Sequence, residues 1–120
     1  ITLERRGWGE TFPGDHNAVY VFTATPGERD NDFAARMFHV SQGPGEDAAT
    51  GSAAAALIGL LAEQETFGDG HHTVKLRQGR EMGRPSLIEL QFNKENGQLR
   101  HAGIGGAAVV LAEGTIDLDE

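Results

Sequence analysis

Gly51-Ser52-Ala53-Ala54-Ala55-Ala56-Leu57-Ile58-Gly59-Leu60-Leu61-Ala62-Glu63-Gln64-Glu65 decides the fold of this 120-residue chain. Alanine and leucine are among the strongest helix formers, and the run predicts a helix over 51–65. Between Ala53 and Ala62 no polar side chain interrupts it. A helix that is apolar on every face is expected to be buried on every face. Its alanines and Gly59 make it thin, so neighbouring backbone can come close. The apolar stretch is half the ~20 residues that a membrane span requires, which favours a core helix. No second strong helical pattern exists to bundle with it, so strands must cover it.

Those strands are legible on both sides. Ala18 to Thr23 is a β-branched and aromatic run, and Ala35 to Val40 alternates. Thr73 to Arg77 and Ser86 to Phe92 alternate as well. Asn96-Gly97 is a hairpin signal followed by Leu99 to Ile104. Ala107 to Leu111 reads as a last buried run, with Gly114 turning into Thr115 to Leu118. The expected class is α+β: a curled mixed β-sheet or barrel wrapped around one buried central helix. Residues 1–17 are polar and aperiodic and read as a lead-in to a domain over 18–120.

Composition narrows the function. Ten basic against 18 acidic residues give a formal charge of −8, which argues against a nucleic-acid partner. No cysteine is present, so disulfides, thiolate nucleophiles and cysteine metal sites are excluded together. No signal peptide is visible, and the cytoplasm is the default expectation. Seventeen glycines are about twice the average usage of about 7%.

The chemistry concentrates in Gly43-Pro44-Gly45-Glu46-Asp47-Ala48-Ala49-Thr50-Gly51-Ser52-Ala53, a loop running into the first turn of the helix. The first N–H groups of a helix lack intrahelical acceptors, and the macrodipole adds partial positive charge there. Thr50 and Ser52 add hydroxyls, and Gly51 lets an anion approach the backbone, which makes a seat for a carboxylate or phosphate. Asp47 lies just upstream. A carboxylate beside a bound anion holds a proton more readily and can carry it. The alternative is ordinary capping, with Thr50 as N-cap and the acidic residues favoured by the dipole.

Glu46-Asp47-Ala48-Ala49-Thr50-Gly51-Ser52-Ala53 resembles the E-D-P-A-T-G-S-A signature of the PhzF-like (phenazine biosynthesis-like) isomerase/epimerase family. Val19 to Thr23 and Arg36-Met37-Phe38 precede it, and Gln78-Gly79, Met82 to Ser86, Gly105-Gly106 and Gly114 follow in the family's order. The resemblance spans about residues 18–118. It implies half of a diaminopimelate-epimerase-like fold, in which two similar domains each wrap a sheet around a helix. It also implies a cofactor-free isomerase, without a metal, that moves a proton on a small carboxylate in the cleft between domains. By motif position, Asp47 and Ser52 are the catalytic candidates. Thr50, Gly51 and Ser52 are the substrate-carboxylate binders. The expected partners are an N-terminal PhzF-like domain, which carries the main acid/base glutamate, and a second protomer forming a dimer of two-domain units; no membrane is implied. This chain resembles the C-terminal half only, starts at Ile1 rather than Met, and has no match to the glutamate motif; Glu4 and Glu10 do not qualify. Ala48 replaces the usual proline. The alternative function is a non-catalytic anion-binding or structural module that keeps the fold.

Other residues read more plainly. His71-His72 after Asp69 invites a metal, but adjacent side chains of an extended segment point apart and no third ligand is near in sequence. Arg84 fits an acidic ligand or a solvated turn, and His39 a cleft or a strand edge. Gly105-Gly106 fits a bulge or sharp bend. Asp117, Asp119 and Glu120 form a solvated acidic tail.

Overall fold

A computed structural model describes residues 6–12, 14–15, 17–40 and 45–118. Its elements are α1 (Trp8–Thr11), β1 (Ala18–Ala24), β2 (Phe33–His39), β3 (Gly45–Asp47), α2 (Gly51–Ala62), β4 (Gly70–Gln78), β5 (Ser86–Glu95) and β6 (Gln98–Gly106), with a 3₁₀ turn at Arg80–Met82. The strands form one six-stranded sheet in the order β1-β2-β4-β5-β6, with β3 added beside β2. β2 and β4 run parallel, so the chain must cross over between them, and α2 lies within that connection. All other pairs are antiparallel.

The core lies between α2 and one face of the sheet. Ala54, Leu57, Ile58, Leu61 and Ala62 are buried, and their i, i+3, i+4, i+7, i+8 spacing is a single helical stripe. They meet Val74 and Leu76 of β4 and Ile88, Leu90 and Phe92 of β5. The alternate residues of β5 fill this core because successive strand side chains point to opposite faces. Asn96 (φ 53°) and Gly97 (φ 73°) close the β5–β6 hairpin. Both are in the left-handed region, which a two-residue turn matched to strand twist requires. The Asp69 carboxylate accepts the N–H groups of Asn96 and Gly97, each at 2.8 Å.

Several expectations need correction. The sheet is not closed, and α2 is buried along one stripe instead of all round; Leu60 is 45% exposed. The physical reason is that alanine has little surface to hide, so Ala55 and Ala56 can face outward at small cost. The helix ends at Ala62, not at 65. Residues 107–111 are not a buried strand: Val109, Val110 and Leu111 are 82–92% exposed, and 115–118 forms no strand among the described residues. β propensity there meets no partner strand, and an unpaired strand gains no ladder hydrogen bonds. The lead-in holds one helical turn, in which Trp8 packs on Phe12 with ring centroids 4.8 Å apart. Gly105 and Gly106 pair regularly with Glu89 and Ile88, and the bulge falls at Asn93/Lys94 instead.

Candidate active site

Asp47 ends β3, the short strand that the signature contributes to the sheet. Its position follows from pairing: Asp47 is opposite Met37, and Met37 is opposite Tyr20. Residues directly opposite share a face, so Tyr20, Met37 and Asp47 form a row across β1, β2 and β3. The strand is anchored on its other face by Arg36, whose Nε and Nη2 donate to Glu46 Oε1 and Oε2 at 2.7 and 2.8 Å. This two-pronged bond is the strong form of an ion pair. It holds the Glu46 carboxyl below the usual carboxylate range. The Arg36 guanidinium also stacks over Phe38, 4.7 Å from the ring centre.

Between β3 and α2 the chain is held by Gln78, the last residue of β4, which is 1% exposed. Its Nε2 donates to the Asp47 carbonyl at 2.8 Å and to Thr50 Oγ1 at 3.0 Å. Its Oε1 accepts the Thr50 N–H at 3.2 Å and the Tyr20 hydroxyl at 2.9 Å. Thr50 Oγ1 in turn donates to Asp47 Oδ2 at 2.7 Å. The next residue, Gly79, has φ +77°, and a Cβ on it would lie 2.6 Å from the Ala48 carbonyl and press on the Arg84 carbonyl. Only glycine lets the strand turn here against the loop.

Thr50 sits at the N-cap of α2 with extended backbone but makes no capping hydrogen bond from its side chain. Of the two alternatives, side-chain capping is therefore not what Thr50 does. Both its N–H and its hydroxyl are engaged inside the chain, and Thr50 is buried. The N–H groups of Gly51, Ser52 and Ala53 precede the first helical bond, Ala54 N–H to the Thr50 carbonyl, and have no intrahelical acceptor. Ser52 is exposed, and Gly51 is half-buried; a Cβ on Gly51 would come within 3.1 Å of Ile104 Cδ1. Asp47 is exposed beside them. The Tyr20 hydroxyl is pushed up to about 12, first by burial and then by the negative charge of Asp47. Gln78 and Tyr20 escaped sequence reasoning as site residues: only the position of Gln78 before Gly79 hinted at it, and Tyr20 looks like any core aromatic.

The remaining candidates lie elsewhere. Asp69 spends both oxygens on the β5–β6 turn. His72 bonds the Gly68 carbonyl at 2.8 Å and packs among Phe67 and Phe92, while His71 contacts Thr73. Among the described residues no group of three or more His, Asp or Glu could hold a metal. His39 lies opposite Gly45, its ring filling the space a Cβ there would need. Arg84 is exposed at the turn after the 3₁₀ helix, its N–H bonded to the Gly79 carbonyl. Glu10 is exposed on α1 and Asp117 is exposed near the end. Glu4, Gly43, Pro44, Asp119 and Glu120 lie outside the described residues. No helix among the described residues is long and apolar enough to cross a membrane.

Comparison with known proteins agrees with the signature. The model of the family described as phenazine biosynthesis-like protein matches residues 11–114, and the chain belongs to that family. An uncharacterised isomerase of Mesorhizobium japonicum is 36% identical over 97% of this chain and 40% of its own length. The trans-2,3-dihydro-3-hydroxyanthranilate isomerase of Pseudomonas chlororaphis is 40% identical over 69% of the chain and 30% of its own length. An uncharacterised isomerase of Escherichia coli strain K12 is 30% identical over 85% of the chain and 35% of its own length. The chain thus spans less than half the length of these relatives.

Proposed function

We propose that this chain supplies one wall of the active site of a cofactor-independent isomerase or epimerase that moves a proton on a small carboxylate. The observation that carries it is the placement of the exposed Asp47 carboxylate, tied by Thr50 at 2.7 Å, beside a helix start whose N-cap residue makes no side-chain cap. The N–H groups of Gly51 and Ser52 and the Ser52 hydroxyl hold the substrate carboxylate, favoured by the helix dipole. Asp47 and Ser52 then stand at the reacting carbon, with Asp47 giving or taking the proton. Thr50, expected from the sequence to touch substrate, serves instead by holding Asp47. The principal glutamate comes from an N-terminal domain of the same family, with the substrate between the two walls, and two such units pair as a dimer. The Pseudomonas chlororaphis relative is named as an isomerase of trans-2,3-dihydro-3-hydroxyanthranilate, in keeping with a carboxylate-holding wall.

The test is isotopic. The full-length protein is incubated in deuterated water with trans-2,3-dihydro-3-hydroxyanthranilate and a panel of small carboxylic acids, and carbon-bound deuterium is measured by mass spectrometry. Label in one of them, lost in Asp47→Asn, is the expected result. Saturable binding of an acid without label would instead favour a non-catalytic anion-binding module.

A further inference from the structure

We infer that Gln78 is a positioning residue for the Asp47–Ser52 site, setting the direction of the Thr50 hydroxyl and thereby the orientation of the Asp47 carboxylate; the inference rests on the function proposed above. The amide has one orientation only. The Asp47 carbonyl can accept but not donate, so it must meet Nε2, and the Thr50 N–H can donate but not accept, so it must meet Oε1. With Nε2 also donating to Thr50 Oγ1, that oxygen serves as acceptor toward Gln78 and its hydrogen is turned to Asp47 Oδ2. Tyr20 occupies the remaining acceptor site on Oε1.

Every polar bond of this buried amide goes to the loop carrying the site or to Tyr20, and none to the apolar core. Burying an amide where an aliphatic side chain would fill the space is costly unless all its groups are paired. Here the pairing runs from the sheet to Asp47 and Thr50, the two ends of the turn that delivers the first residues of α2. A carboxylate that must meet one substrate proton needs its direction fixed before substrate arrives.

The experiment compares wild-type full-length protein with Gln78→Met, Gln78→Glu and Tyr20→Phe. Two quantities are read: protection of the Thr50 amide from hydrogen exchange without ligand, and kcat and KM for deuterium incorporation into an acid that the wild type labels. Gln78→Met is expected to lose Thr50 protection and to lower kcat roughly tenfold or more with KM changed less. Tyr20→Phe removes one of the two donors to Gln78 Oε1 and is expected to lower both quantities less than Gln78→Met does. Gln78→Glu lacks the donor at neutral pH but regains one when its introduced carboxyl is protonated, so its rate relative to wild type rises as pH falls. A structural role alone would not produce that pH profile. Should Gln78→Met fail to fold, the pH profile of Gln78→Glu decides. Unchanged Thr50 protection and kcat in Gln78→Met, or a flat relative profile in Gln78→Glu, overturns the inference. A wild type that labels no acid overturns the proposed function instead, and Thr50 protection alone then decides the part played by Gln78.

Discussion

The Thr50 hydroxyl donates to the Asp47 carboxylate at 2.7 Å across the turn between β3 and α2. That bond converts an N-cap residue into a tether for the exposed acid, and it leaves the following N–H groups to an outside partner. The arrangement depends on Gln78 and on the row of Tyr20, Met37 and Asp47 across three strands.

Replacing Thr50 by valine keeps its shape but removes the hydroxyl. The Gln78 Nε2 would lose one of its two acceptors in a buried site. A loss of roughly 1–3 kcal/mol is expected from urea unfolding. Thr50→Ser, which keeps the hydroxyl, should lose less than half as much.

Gly79→Ala should be among the most damaging single-methyl changes in the chain. The backbone is at φ +77°, and the new Cβ would meet two carbonyl oxygens that belong to the main chain and cannot swing away. A cost of about 3 kcal/mol follows from backbone strain and overpacking combined. Thermal unfolding would show it, and a melting temperature equal to wild type would refute it.

Tyr20 is the only tyrosine of the chain, so its titration can be followed by tyrosinate absorbance without ambiguity. Its folded value is pushed up from 10.0 to about 12. The protonated phenol is therefore favoured by folding, and the unfolded state sheds the proton first. The contribution to stability is complete below pH 10 and is lost as pH rises toward about 12. Tyr20→Phe should flatten the stability curve across that alkaline window. Asp47→Asn should move the phenol back toward its ordinary value, by less than the part due to burial.

The Arg36–Glu46 pair gives the opposite sign. Because Arg36 holds the Glu46 carboxyl below its ordinary value, its contribution is present above about pH 4.3 and fades as pH falls through the lowered value. Arg36→Met should remove that acid-dependent component of stability. The pair is partly solvated, and the change should be small beside that of Gly79→Ala.

Much of the fold was written in local pattern. Alternation placed β4 and β5, Asn96-Gly97 placed their hairpin partner, and the alanine-rich run placed α2. Two features resisted for physical reasons. The extent of cover over α2 is a tertiary matter, since small apolar side chains tolerate solvent as readily as core, and Leu60 differs from Leu61 only in which side of the helix it occupies. Residues 107–111 have strand-like composition, yet a strand exists only where a neighbour offers hydrogen bonds. In the site, Asp47, Thr50, Gly51 and Ser52 were visible because they are contiguous. Gln78 reaches Asp47 and Thr50 from 31 and 28 residues away, Tyr20 reaches Gln78 from 58, and no local spacing encodes that meeting.

The most direct measurement is an amide-resolved NMR titration of the protein with benzoate, a simple aromatic carboxylate. Saturable shifts largest at the Gly51 and Ser52 N–H groups, and weakened by Ser52→Ala, are the predicted result. Benzoate that binds while those two amides stay unmoved would contradict a carboxylate seat at the start of α2.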